Sequence, residues 1–288
     1  MTMIPALDHR ARRRRRPPPR AIVASLVLAA GWLAGVTASR AGEARCWIDK
    51  GALVASAAFG DVTGDFLIDL AAPVSQLHDT RAQMAGLTGP AATRTLAIAG
   101  QRVPAFTLAI ADLDARTARF DTVITGVLGA DLWRRFTVEI DPGPACRLRL
   151  TRARRGRRPH GRRLPLTTDQ GPPLVPAILA DGTHIRAELV AIGTAQWVTR
   201  IDGAAPSRPI PATGAEASTP LRLRALEVGG RLFEEVPAET SGPDTPEAPS
   251  VVGLSVWSNW RLRLDIQDGW LDLAPGARAL QATLPGRR

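Results

Sequence analysis

The sequence predicts an all-β protein built of two tandem lobes. Three observations carry that expectation. The 24 prolines and 26 glycines are scattered almost evenly over 288 residues, stretches of helical period are few, and one unit with the two-residue period of a half-buried strand occurs twice. Apolar residues make up 45% of the chain, enough to build a core, so neither a disordered nor a fibrous protein is expected.

The doubled unit is clearest where 127–141 reads without gaps against 251–265. Gly129 and Gly253, Trp133 and Trp257, and Asp141 and Asp265 coincide at a shift of 124. After the tryptophan, Phe136, Val138 and Ile140 alternate with polar residues, as do Trp260, Leu262 and Leu264. Each copy therefore offers a glycine turn, a short helical turn and a strand. Upstream, 57–61 and 178–182 each precede an apolar strand and read as hairpins, and 96–101 echoes 226–231 as strand and turn. The expected organisation is an amino-terminal segment 1–41, lobe 1 at 42–150, an arginine-rich linker 151–163, lobe 2 at 164–275 and a tail 276–288.

The formal charge of +10 invites a nucleic-acid reading, but it is concentrated in two places. Residues 1–20 carry +6 and 151–163 carry +7, leaving −3 for everything else. Neither segment has the aromatic or polar readers of a nucleic-acid face, and Pro159 and Gly161 mark the second as a solvated linker, so no nucleic-acid partner is expected.

Residues 21–39 are free of charge and follow the first basic segment, with small residues at Ala38 and Ala41. That is the layout of an export signal, cleaved or retained as a membrane anchor through 21–39, and either form places the remainder outside the cytoplasm, periplasmic or secreted. In an oxidising compartment Cys46 and Cys146 are able to bridge; the alternative is two unrelated buried thiols. Neither His9, His78, His160 nor His184 stands in a ligand pattern with them, so no metal and no cofactor are expected.

The order Phe66-Leu67-Ile68-Asp69-Leu70-Ala71-Ala72, Ser75, a helical turn ending at Leu87, then Gly126-Val127-Leu128-Gly129-Ala130-Asp131 resembles the retropepsin-like and pepsin-like aspartic peptidases, once per lobe. The resemblance implies two acid-peptidase-like β lobes about a pseudo-twofold axis, with Gly129 and Gly253 as structural turns. It also implies a catalytic aspartate at Asp69, and a disulfide between Cys46 and Cys146 on neighbouring terminal strands of lobe 1. In such enzymes two carboxylates share one proton and activate a water. Here the threonine and glycine expected after the aspartate are Leu70 and Ala71, followed by Ala72, and the matching stretch of lobe 2 is Ala191-Ile192-Gly193-Thr194, with no carboxylate. Neither Glu188 nor Asp202 has an evident route to that point. Asp69 is thus the sole catalytic candidate, Ser75 and Trp197 are cleft-lining candidates, and Trp133, Trp257 and Trp260 read as core.

Three functions follow. The first is an exported peptidase homologue with impaired or lost catalysis that binds peptide or another extended polymer between the lobes. The second is an active endopeptidase using Asp69, for instance with two chains pairing their first lobes. The third is an envelope scaffold presenting loops such as 237–250.

Overall fold

The computed structural model describes residues 42–152, 163–168, 173–188, 199–201, 219–240, 250–257 and 259–276. In chain order the first half comprises β1 (Gly42–Asp49), β2 (Ala52–Phe59), β3 (Val62–Ile68), β4 (Gln76–His78), α1 (Asp79–Met84), β5 (Ala91–Ile98), β6 (Gln101–Ala111), α2 (Asp114–Thr117), β7 (Ile124–Leu128), α3 (Ala130–Trp133), β8 (Phe136–Asp141) and β9 (Arg147–Arg152). The second half comprises β10 (Arg163–Pro165), β11 (Leu174–Leu179), β12 (His184–Glu188), β13 (Thr199–Ile201), β14 (Thr219–Val228), β15 (Arg231–Thr240), α4 (Leu254–Trp257), β16 (Trp260–Asp265) and β17 (Trp270–Pro275). The all-β expectation holds: among the described residues, none of the four helices exceeds six residues.

The strands form a twelve-stranded sheet, ordered β10-β17-β16-β8-β9-β1-β2-β3-β7-β4-β6-β5, and a five-stranded sheet, ordered β12-β11-β14-β15-β13. Because β2 also pairs with β5, the strands β2, β3, β7, β4, β6 and β5 close on themselves as a six-stranded barrel. Closure leaves no unpaired inner edge around the loop that carries Asp69.

The sequence repeat is reproduced in hydrogen bonds. Trp133 donates its indole N–H to the Leu128 carbonyl, and Trp257 donates to that of Val252. The Leu132 amide closes on the Gly129 carbonyl as the Val256 amide closes on that of Gly253, each at 3.0 Å. Both indoles are fully buried, which is why their N–H groups need these partners. The hairpin β5–β6 turns through Ala99 and Gly100 and the hairpin β14–β15 through Gly229 and Gly230, all four with positive φ, as a two-residue turn between twisted strands demands. The five-stranded sheet repeats most of the barrel: β12-β11-β14-β15-β13 follows the order β3-β2-β5-β6-β4, down to the parallel pairing of β13 with β15 that matches β4 with β6.

The halves join through β8 and β16. Their antiparallel register places Val138 opposite Leu264, Glu139 opposite Arg263 and Ile140 opposite Leu262. Under the shift of 124 Glu139 faces its own counterpart, and the flanking pairs exchange, so a local twofold axis passes between Glu139 and Arg263. The inward residues of this sheet belong to one core cluster that runs from Cys46 to Leu273.

The end residues of the linker expected at 151–163 lie in strands. Thr151 and Arg152 finish β9, with Arg152 donating to the Arg102 carbonyl, and Arg163 opens β10 and lies over the Trp270 ring. Residues 153–162, the segment 1–41 expected to direct export, and all but Gly276 of the expected tail lie outside the described residues. No helix among the described residues is long and apolar enough to cross a membrane.

Cys46 and Cys146 form a disulfide, with Cα atoms 4.9 Å apart. It sits where β1 changes partner, from β9 at Gly42–Arg45 to β2 at Cys46–Asp49, and the Cys46 amide donates to the Cys146 carbonyl. The bridge thus fixes the corner between the central sheet and the barrel. Because it closes a loop of 100 residues, replacing both cysteines by serine should lower stability by about 4–5 kcal/mol in the chain-entropy model, read from urea unfolding of the wild type and the variant.

Candidate functional site around Asp69

Asp69 follows directly on β3, whose last residues Phe66, Leu67 and Ile68 are fully buried. The chain then loops over β7 and returns as β4, so that β7 pairs with β3 on one side, in parallel, and with β4 on the other, antiparallel. The Asp69 amide extends the first pairing by donating to the Leu128 carbonyl at 3.0 Å. The carboxylate position is therefore set by a strand held on both sides.

Within the loop, Asp69 Oδ1 accepts the amides of Ala71 at 2.8 Å and Ala72 at 3.1 Å. The sequence departure at Ala71 does not abolish this cradle: the amides approach the carboxylate although the glycine is absent. Leu70 points into the core and is fully buried, so it supplies packing where the resemblance implies a hydroxyl.

Ser75, expected in the cleft, is fully buried and does not line the depression in front of Asp69. Its hydroxyl donates to Asp131 Oδ1 at 2.6 Å and accepts the Gly129 amide at 2.8 Å, while its own amide also donates to Asp131. The Ala130 amide reaches the Ala72 carbonyl at 2.7 Å. A Cβ at Gly129 would stand 2.6 Å from that same carbonyl oxygen, closer than any side chain tolerates, so the residue is glycine for space. Gly129, Ser75 and Asp131 together lock the aspartate loop onto the turn after β7.

The group that meets Asp69 from outside is Arg116, on α2. Its Nη2 donates to Asp69 Oδ2 and its Nη1 to Gln76 Oε1, the latter at 3.4 Å. Asp69 is almost wholly buried, with 3% of its side chain exposed, against 32% for Arg116. The guanidinium thus closes the outer side of the carboxylate. Nothing in the sequence marks this residue, which lies 47 positions downstream among other arginines.

The segment bearing Arg116 is clamped at both ends. Upstream, Asp114 Oδ1 meets His78 Nε2 at 3.1 Å, and His78 Nδ1 lies 2.8 Å from the Thr80 hydroxyl and 2.9 Å from Asp79. Downstream, Asp49 accepts the amides of Asp121 and Thr122, Trp47 donates its indole N–H to the Thr122 hydroxyl, and Lys50 pairs with Asp121. Along the same segment, Leu113 and Phe120 are buried in a small cluster with Leu67, Ile124 and Val127. Burial pushes the Asp49 carboxyl up, but the Thr122 and Asp121 hydrogen bonds and the Lys50 charge outweigh it and hold the group below the ordinary 3.8.

A depression of about 480 Å3 opens in front of this pair, lined by Asp69, Ala71, Ala72, Pro73, Val74, Gln76 and Arg116. Its floor is apolar and Val74 is half exposed. Among the described residues, the partners of the Asp69 carboxylate are two amides and one guanidinium, with no second carboxylate. No group of three His, Cys, Asp or Glu among them is placed to hold a metal ion. Ala191, Ile192, Gly193, Thr194 and Trp197 lie outside the described residues, while Trp133 and Trp257 are core and Trp260 is partly buried against it.

A closed barrel, a repeated half sharing its central sheet, and an aspartate at the end of β3 cradled by its own loop make up an all-β fold of two related halves, as the resemblance read from the sequence led us to expect. Among solved structures, the chain is similar to an aspartic proteinase from Irpex lacteus, at 12% identity and a TM-score of 0.48, covering 83% of this chain and 98% of that one. It is also similar to a retropepsin-like aspartic protease from Rickettsia conorii, at 20% identity and a TM-score of 0.30, covering 40% of this chain and 94% of that one. No protein-family model and no curated protein matches the sequence.

Two outcomes are expected. Ser75→Ala leaves the buried Gly129 amide without its acceptor and should cost about 1–3 kcal/mol, against under about 0.5 kcal/mol for a change at an exposed position such as Gln83 to alanine, both read by urea unfolding. The folded-state pKa of Asp49 is depressed, so its contribution to stability is complete above the unfolded value of 3.8 and is lost as the pH falls through the folded value. The stability gap between wild type and Asp49→Asn should therefore be widest near neutral pH and narrow below about pH 4; a gap that stays constant down to pH 2 contradicts this.

Proposed function

We propose that this chain is an exported, catalytically silent relative of the aspartic peptidases that binds peptide or another extended polymer in its cleft. The observation that carries the reading is the occupancy of Asp69. Its Oδ1 is taken by two loop amides and its Oδ2 by Arg116. Peptidase chemistry needs a carboxyl pair holding one proton between them, so that one member activates water while the other protonates the carbonyl. Arginine stays protonated at every working pH and has no proton to lend. A guanidinium in the second position closes that cycle. The apolar depression beside the pair, flanked by β-strands, suits a ligand that pairs through its main chain. Export rests on the charge-free stretch 21–39 behind a basic segment, with the disulfide as a compatible feature.

The discriminating experiment incubates casein and a peptide library with wild type and Asp69→Asn from pH 3 to 7. No Asp69-dependent cleavage is expected, with retention of library peptides by both proteins. Cleavage that disappears in Asp69→Asn overturns the proposal and establishes an active endopeptidase.

A further inference from the structure

We propose that Arg116 is the specificity-determining residue of the Asp69 depression: it recognises a main-chain carbonyl of an extended, uncharged peptide segment. The inference rests on the peptide-binding reading above and deepens it. Guanidinium carries five N–H donors, and among the described residues Arg116 spends one on Asp69 and one, at 3.4 Å, on Gln76. Three donors remain on a side chain that is 32% exposed and lines the depression.

The electrostatics select the ligand class. Asp69 balances the arginine charge at contact distance, so the site as a whole is neutral. An incoming carboxylate would gain from Arg116 and lose to Asp69, and an incoming ammonium would meet the converse. A neutral acceptor suffers neither conflict. Of the remaining wall, Gln76 is polar but uncharged, and Ala71, Ala72, Pro73 and the half-exposed Val74 offer apolar contact, so no further charge is present. A peptide carbonyl flanked by apolar side chains satisfies both requirements.

Arg116 is also fixed in place before any ligand arrives. Asp114 on His78 holds its segment upstream, and Thr122 on Asp49 and Trp47 holds it downstream. A donor held in this way loses little rotational freedom on binding. An arginine serving only to neutralise Asp69 would not need to face the depression.

The test uses the tightest member of a library of N-acetylated, C-amidated apolar hexapeptides, together with isosteres in which each peptide bond in turn is a trans-alkene without a carbonyl oxygen. Binding to the full mature chain is measured by calorimetry for wild type and Arg116→Met. In wild type, one alkene position should weaken binding about tenfold, the loss of one charge-assisted hydrogen bond. In Arg116→Met the parent peptide should fall to that weaker level, and the same alkene should cost nothing more. Should Arg116→Met fail to fold, the guanidinium nitrogen resonances of wild-type Arg116 provide the second measurement. They should shift with the parent peptide and not with the critical isostere. An alkene penalty that persists in Arg116→Met, or Arg116 resonances that the parent peptide leaves unmoved, overturns the inference and leaves the binding reading intact. Failure of wild type to retain any library peptide overturns both.

Discussion

The antiparallel pairing of β8 with β16 is the constraint on which the rest of this molecule depends. Val138 and Ile140 face Leu264 and Leu262 across it, and all four are buried. Each half alone would expose the apolar face of its terminal hairpin, and in the paired arrangement the two hairpins cover a common core. The register is the one that places a residue opposite its own repeat, so the sequence duplication and the symmetry of the joint are one fact seen at two scales. On the other face, Glu139, Arg149, Glu43 and Arg261 form a chain of surface ion pairs. They favour this register over a slip by one residue, which would turn charges inward.

From that joint the barrel of the first half is built outward through β1, which leaves the central sheet at the disulfide and enters the barrel. The barrel then fixes the Asp69 loop between β3 and β7, and Ser75 and Asp131 tie the loop to the turn at Gly129. The Asp69 carboxylate is held by the amides of its own loop, and the group that faces it from outside is the Arg116 guanidinium. The strand pairings and the two clamps on the 113–122 segment bring Asp69 and Arg116 together. Amides, not side chains, build this cradle, and Ala71 and Ala72 supply amides as a glycine would.

How much of this was legible beforehand differs by the range of the interaction. The repeat of Gly129, Trp133 and the alternating strand after it announced α3, α4, β8 and β16, because those elements follow from local period and turn chemistry. The two-residue turns at Ala99-Gly100 and Gly229-Gly230 were equally local. Ser75 was assigned to the cleft because its position in the motif is near the aspartate, whereas its burial is set by Asp131 and Gly129, more than fifty residues away. Arg116 carried no signal at all. One arginine among 37 basic residues gains meaning only when a segment is folded back over a carboxylate.

The sequence by itself determined the all-β class, the doubled unit and the strands that pair at the centre. These are properties of residue period, composition and identity, and they survive without knowledge of what touches what. Tertiary structure alone decided that Cys46 and Cys146 meet where β1 changes partner, that Ser75 braces rather than binds, and that Asp69 faces a guanidinium. Each of those is a contact between segments far apart in the chain, made by sheet closure and by the clamps at His78 and Asp49. Physical proximity across such distances is set by the packing of the whole core, and no local pattern encodes it.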